Sequence, residues 1–108
     1  MIHVKQNDRR PTAPAVLKRG NNVVNLTTAN QVTFKMRPIH GIDLKVNAEA
    51  TVLAAASGSV EYRWADGDTD IAGEYLAEWE VTWSDGTTET FPTIDYDIVL
   101  ITSDLDGS

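Results

Sequence analysis

The chain has 108 residues, no cysteine and a net charge of −7. That length makes one domain. The lack of thiols removes disulfide staples and thiolate chemistry, and the acidic balance argues against a general nucleic-acid binder. No stretch is apolar for long enough to cross a bilayer, and Met1 to Asp8 holds no signal-peptide run, so cytoplasmic synthesis is expected.

The charge is unevenly placed. Residues 1–45 carry eight of the nine basic side chains and two acids, +6, whereas residues 46–108 carry Arg63 and the other fourteen acids, −13. Such a split implies that the halves meet, within one molecule or between copies, with cross-strand pairing in one sheet the simpler form.

In chain order, Ile2 to Lys5 is a short strand or an arm, and Asn7 to Pro14 is turn-rich, with Arg9 and Arg10 beside two prolines. Residues 1–12 are read as an extended basic arm, 13–102 as the folded domain and 103–108 as a polar tail. Ala15 to Lys18 and Val23 to Leu26 are short strands around the Arg19-Gly20-Asn21-Asn22 turn, where Gly and Asn accept left-handed backbone. Gln31 to Arg37 alternates cleanly: Val32, Phe34 and Met36 point in, and Thr33, Lys35 and Arg37 point out. Asp43 to Ala55 is ambiguous. Ala48 to Ala55 has a helix-favouring composition, but it spans too few turns and lacks an apolar stripe, so it is assigned to strand. Ser59 to Trp64 is a third alternating strand, with Val60, Tyr62 and Trp64 inward.

Residues 74–91 carry the clearest pattern. Tyr75, Ala77, Trp79, Val81 and Trp83 share one face, and Leu76, Glu78, Glu80 and Thr82 share the other. Ser84 to Thr87 turns the chain, and Thr88 to Phe91 returns it until Pro92, which has no N–H to donate. Tyr96 to Thr102 is a last strand. Short strands at this spacing, divided by Gly, Asn, Asp and Pro turns, predict an all-β fold, a two-sheet antiparallel β-sandwich.

Two features add an immunoglobulin-like character. Asp70 to Tyr75 resembles a tyrosine corner, and Ala77 stands two residues on, where antibody domains carry a disulfide cysteine. A wider series resembles the immunoglobulin-like N-terminal domain of bacteriophage upper-baseplate proteins over roughly residues 9–101. It comprises Arg10-Pro11, Val24 to Thr27, Val32 to Arg37, Gly58 to Tyr62, Trp64, Asp68 to Asp70, Gly73 to Val81, Asp85-Gly86 and Thr90 to Pro92. In the baseplate protein that domain is joined to trimerisation and receptor-binding-protein docking parts. The resemblance implies a non-enzymatic structural protein of a tailed-phage virion, present in many symmetric copies. Its expected partners are other tail, baseplate or capsid subunits, with neither nucleic acid nor membrane among them. A host-surface glycan- or protein-recognition module is the alternative.

The candidate sites are few. Asp66, Asp68 and Asp70 alternate as calcium-loop acids do, but the spacing of an EF-hand is not met and turn-forming is the simpler role. His3 and His40 belong to no recognisable catalytic or metal-binding set, and no cofactor or metal ligand is assigned. Glu78 and Glu80 lie on an outward face, with Lys35 and Arg37 as possible partners. Trp64, Trp79 and Trp83 are expected in the core, with glycan stacking the alternative. In the last strand Ile98 and Leu100 oppose Val99 and Ile101, so both faces are apolar: the strand is covered twice, or one face is a contact surface. Arg9, Arg10, Val99 and Ile101 are taken as the contact residues.

Overall fold

The computed structural model describes residues 1–105. It is all-β, and residues 106–108 of the polar tail expected over 103–108 lie outside the described residues. The strands are β1 (Ile2–Lys5), β2 (Ala13–Val16), β3 (Lys18–Arg19), β4 (Asn22–Val23), β5 (Ala29–Pro38), β6 (Val46–Glu49), β7 (Thr51–Ala54), β8 (Ser59–Tyr62), β9 (Gly73–Trp83), β10 (Thr88–Phe91) and β11 (Asp97–Thr102).

The larger sheet runs β1-β11-β9-β5-β6, with β10 also on β9. The smaller runs β2-β8-β7, and β3 and β4 form a separate hairpin. Strand β9 is the axis. All of β5 lies on one of its edges, from Ala29 opposite Trp83 to Pro38 opposite Tyr75. The other edge is shared end to end: β10 covers Trp79 to Thr82, and β11 covers Gly73 to Ala77.

The expected arm is a correction. Residues 2–5 form an edge strand parallel to β11, so the larger sheet is mixed rather than wholly antiparallel. The segment after β1 is laced down as well. The Gln6 N–H donates to Thr102 O at 2.8 Å, the Asn7 N–H to Thr69 O at 2.9 Å, and the Trp64 indole N–H to Pro11 O at 3.0 Å. The ambiguous 43–55 stretch is strand over Val46–Glu49 and Thr51–Ala54, and it serves both sheets. It pairs with β5 as β6, passes Ala50, whose N–H donates to Val32 O at 2.7 Å, and joins β8 as β7.

The inner faces of the two sheets share one core. Phe34 is its centre: it stacks on Tyr62 at 4.8 Å between ring centroids, meets Trp64 edge-on at 5.8 Å, and lies tilted against Trp79 at 4.7 Å. These rings bring polar atoms inside, and each is satisfied. Tyr62 donates to Asp68, and the Trp79 indole donates to Asp97 at 3.0 Å. No buried side-chain polar atom lacks a partner among the described residues. At the edge of this core the 3₁₀ turn Ala55–Ser57 ends on Gly58, whose φ of +69° favours glycine. Glycine is also required for space, since a Cβ there would sit 2.8 Å from both Leu17 O and Val24 O.

The two halves do meet within one molecule. Arg19–Glu89 at 2.7 Å, Lys35–Glu80 at 3.2 Å, Lys45–Asp70 and Arg9–Asp66 at 3.9 Å each join the basic first half to the acidic second. Of these, Lys35–Glu80 alone joins neighbouring strands of a sheet. Arg37 departs from expectation: it donates to Gly41 O at 2.7 Å and to Pro38 O at 3.3 Å, leaving the carboxylates alone.

Candidate functional site

The last strand faces the other way from the one expected. Val99 is 0% and Ile101 1% exposed, so these two are core residues and not contact residues. The cause is register. Val99 lies opposite Tyr75, and Asp97 opposite Ala77, and directly opposed residues share a face. Tyr75 and Ala77 point inward, so Val99 must follow.

That register hands the outer surface to Ile98 and Leu100. Ile98 lies opposite Leu76, and Arg37 of β5 lies opposite Leu76 on its other side. Leu44 and Tyr96, 47% and 45% exposed, border the same region, and with Leu76, Lys35, Arg37 and Glu78 they line a shallow depression. The result is an aliphatic surface of Leu76, Ile98 and Leu100 that the core does not use, rimmed by an aromatic ring and by both signs of charge. The anomaly of a two-faced strand was thus visible in the sequence, but its phase was not.

Arg9 and Arg10 are exposed, and the structure adds a third guanidinium that the sequence does not join to them. The pairing of Ala13 with Tyr62 brings Thr12 and the residues before it alongside Arg63. Arg9, Arg10, Thr12, Arg63 and the edge of Trp64 line one depression. Arg9 Nε donates to Trp64 O at 2.8 Å, and Arg63 Nε to Glu61 Oε1 at 2.8 Å. Glu61 also accepts from the Thr12 hydroxyl at 2.9 Å. Arg63, then Thr12, holds the Glu61 carboxyl below its ordinary value.

The remaining candidates have structural work. Asp68 accepts from Tyr62 and from the Ala65 N–H at 2.9 Å, which is turn-forming use, and Asp70 pairs with Lys45. Among the described residues no group of three His, Asp or Glu side chains is placed to hold a metal ion. Trp64 is 1% exposed, with its N–H already bonded, so it offers no stacking face. Trp83, expected inward, is half-buried at the end of β9. The Arg19 guanidinium lies 5.7 Å from its ring, and its N–H donates to Glu89 at 3.2 Å.

Comparison with known protein families, with curated proteins and with solved structures returns no match.

Proposed function

We propose that the chain is an immunoglobulin-like sandwich that works as a non-enzymatic docking subunit in the virion of a tailed bacteriophage, in symmetric copies beside other virion proteins. The strand order supports the fold. One sheet places β11, β9, β5 and β6 side by side and the other β2, β8 and β7, an order that agrees with the G-F-C-C′ and B-E-D strands of a variable-type immunoglobulin domain. The Tyr75 hydroxyl returning to backbone four residues upstream, at the entrance to the strand in the F position, supports it further.

The observation that carries the docking role is the outer aliphatic surface of Leu76, Ile98 and Leu100. Apolar side chains grouped on a rigid sheet face, beside Arg37 and Glu78, gain by being covered by a complementary surface. The charged rim fixes orientation more than it adds affinity. Placement in a virion follows from the resemblance to upper-baseplate domains.

Mass spectrometry of purified virions tests the reading. The protein is expected there at a fixed ratio to a major structural protein, and its absence overturns the assignment. A double variant, Ile98→Ser with Leu100→Ser, is expected to fold normally and to be lost from the particles.

A further inference from the structure

We infer that the depression between Arg9, Arg10 and Arg63 is a binding site for a short carboxylate-rich segment of a partner protein. It shares no lining residue with the depression beside Leu76, and it does not depend on the virion assignment.

Three guanidinium side chains and no carboxylate line this depression. Two of them are already oriented. Arg9 and Arg63 are both held through Nε, by Trp64 O and by Glu61, and their terminal amines donate no hydrogen bond among the described residues. A carboxylate takes two parallel N–H donors from such a fork, and a fork fixed at Nε loses little freedom in binding. The nearest competing acid for Arg9 is Asp66, whose side chain is fully exposed and 3.9 Å from the Arg9 amine, beyond hydrogen-bonding reach. The Arg10 side chain has no hydrogen-bond or ion-pair partner among the described residues. Arg10 is therefore the one member of the cluster whose charge the fold leaves unmatched.

The size of the ligand follows from the rest of the surface. The chain as a whole is −7, and fourteen of its sixteen acids lie in residues 46–108. A nucleic acid or an anionic bilayer extends beyond three arginines and is repelled by the net negative charge of the chain. A segment bearing two or three carboxylates fits the cluster and ends before the repulsion begins.

The test is an NMR titration of the ¹⁵N-labelled protein with an N-acetylated, C-amidated triglutamate peptide in low salt. Saturable shifts are expected at the backbone amides of residues 9, 10, 12 and 63–66 and at the Trp64 indole N–H, and a trilysine peptide should cause none at these positions. Raising the salt well above 0.15 M should weaken binding, as exposed charge pairs are screened. Arg10→Gln with Arg63→Gln is expected to weaken the peptide about tenfold or more, the loss of two charge-assisted contacts. If the double variant does not fold, Arg10→Gln alone serves, because that side chain holds nothing in place. Non-saturating shifts spread over the surface overturn the proposal, as does binding unchanged in the variants. So does tighter binding at the same amides by a DNA oligomer or by phosphatidylserine vesicles, which would make this a site for a different class of ligand.

Discussion

The phenolic hydroxyl of Tyr75 donates to the main-chain carbonyl of Ile71 at 2.6 Å, tying the entrance of β9 to the loop before it. Burial of the ring raises the Tyr75 hydroxyl above its ordinary pKa, so it stays protonated and able to donate at neutral pH. Tyr75→Phe keeps the ring and removes the donor. The Ile71 carbonyl then loses its partner in a partly buried place, at a cost of about 1–2 kcal/mol. Urea unfolding should show a lower midpoint with an unchanged slope. An unchanged midpoint would mean that water replaces the hydroxyl.

Strand β11 separates two kinds of apolar residue that look alike in the sequence. Val99→Ala removes two methyl groups from a fully buried site and should cost about 2 kcal/mol. Leu100→Ala removes more carbon from the outer face and should cost under about 1 kcal/mol, since surface changes are usually small. Thermal unfolding of the two variants in parallel decides the phase of the strand. A larger loss from Leu100→Ala would put the outer face inside.

The same strand shows where sequence reading stops. β5 and β9 alternate apolar and polar residues, so their own residues state which face is buried, and Val32, Phe34, Met36, Tyr75, Ala77, Trp79 and Val81 are all in the core. Ile98 to Ile101 is apolar on both faces, so its phase depends on its partner in β9, and a shift of one residue reverses every side chain. The lacing of residues 6–12 to Thr102, Thr69 and Trp64 was hidden for a related reason: every bond has a main-chain group as donor or acceptor, which no residue type reports. Arg63 joins Arg9 and Arg10 only through the register of β2 on β8, which likewise has no local signature.

Phe34 should be the costliest residue of the core to truncate. It touches Tyr62, Trp64 and Trp79 at once, and so connects the aromatic residues of both sheets. Phe34→Ala should cost about 3–5 kcal/mol. That is a large part of the stability of a domain this size, roughly 5–15 kcal/mol. Far-UV circular dichroism at 37 °C should show a substantial unfolded fraction, while Phe34→Leu, which refills much of the volume, should remain folded.

Gly58 joins two constraints at one position. Its φ of +69° is strained for any side chain, and a Cβ would approach the carbonyl oxygens of Leu17 and Val24 at 2.8 Å. The Leu17 carbonyl accepts from the Val24 N–H, and the Leu17 N–H donates to Gly58 O, both at 2.9 Å, so the Leu17 carbonyl cannot withdraw freely. Gly58→Ala should cost roughly 2–4 kcal/mol, the sum of a left-handed penalty and overpacking. Gly67 has φ +85° but open space around it, so Gly67→Ala isolates the conformational part and should cost only about 1 kcal/mol.

Stability should fall at high pH because of Tyr62. Burial raises its hydroxyl well above the ordinary value of 10.0, and the hydrogen bond it donates to Asp68 raises it further. A folded pKa above the unfolded one means that folding retains a proton the unfolded chain releases. The resulting stabilisation is complete below about pH 10 and is lost as pH rises toward the folded value. Burial raises Tyr75 in the same direction, so the two act together. On the acid side the sign reverses. Arg19 lowers Glu89, Arg63 lowers Glu61, and the Thr87 hydroxyl lowers Asp85, so their contribution is present above the ordinary carboxylate range and falls as pH drops through it. Melting temperature against pH should therefore be flat near neutrality and decline at both ends. Tyr62→Phe should be less stable at pH 7, because Asp68 loses a donor, yet decline less steeply above pH 10. A variant with the same alkaline slope as the parent would assign that slope to other groups.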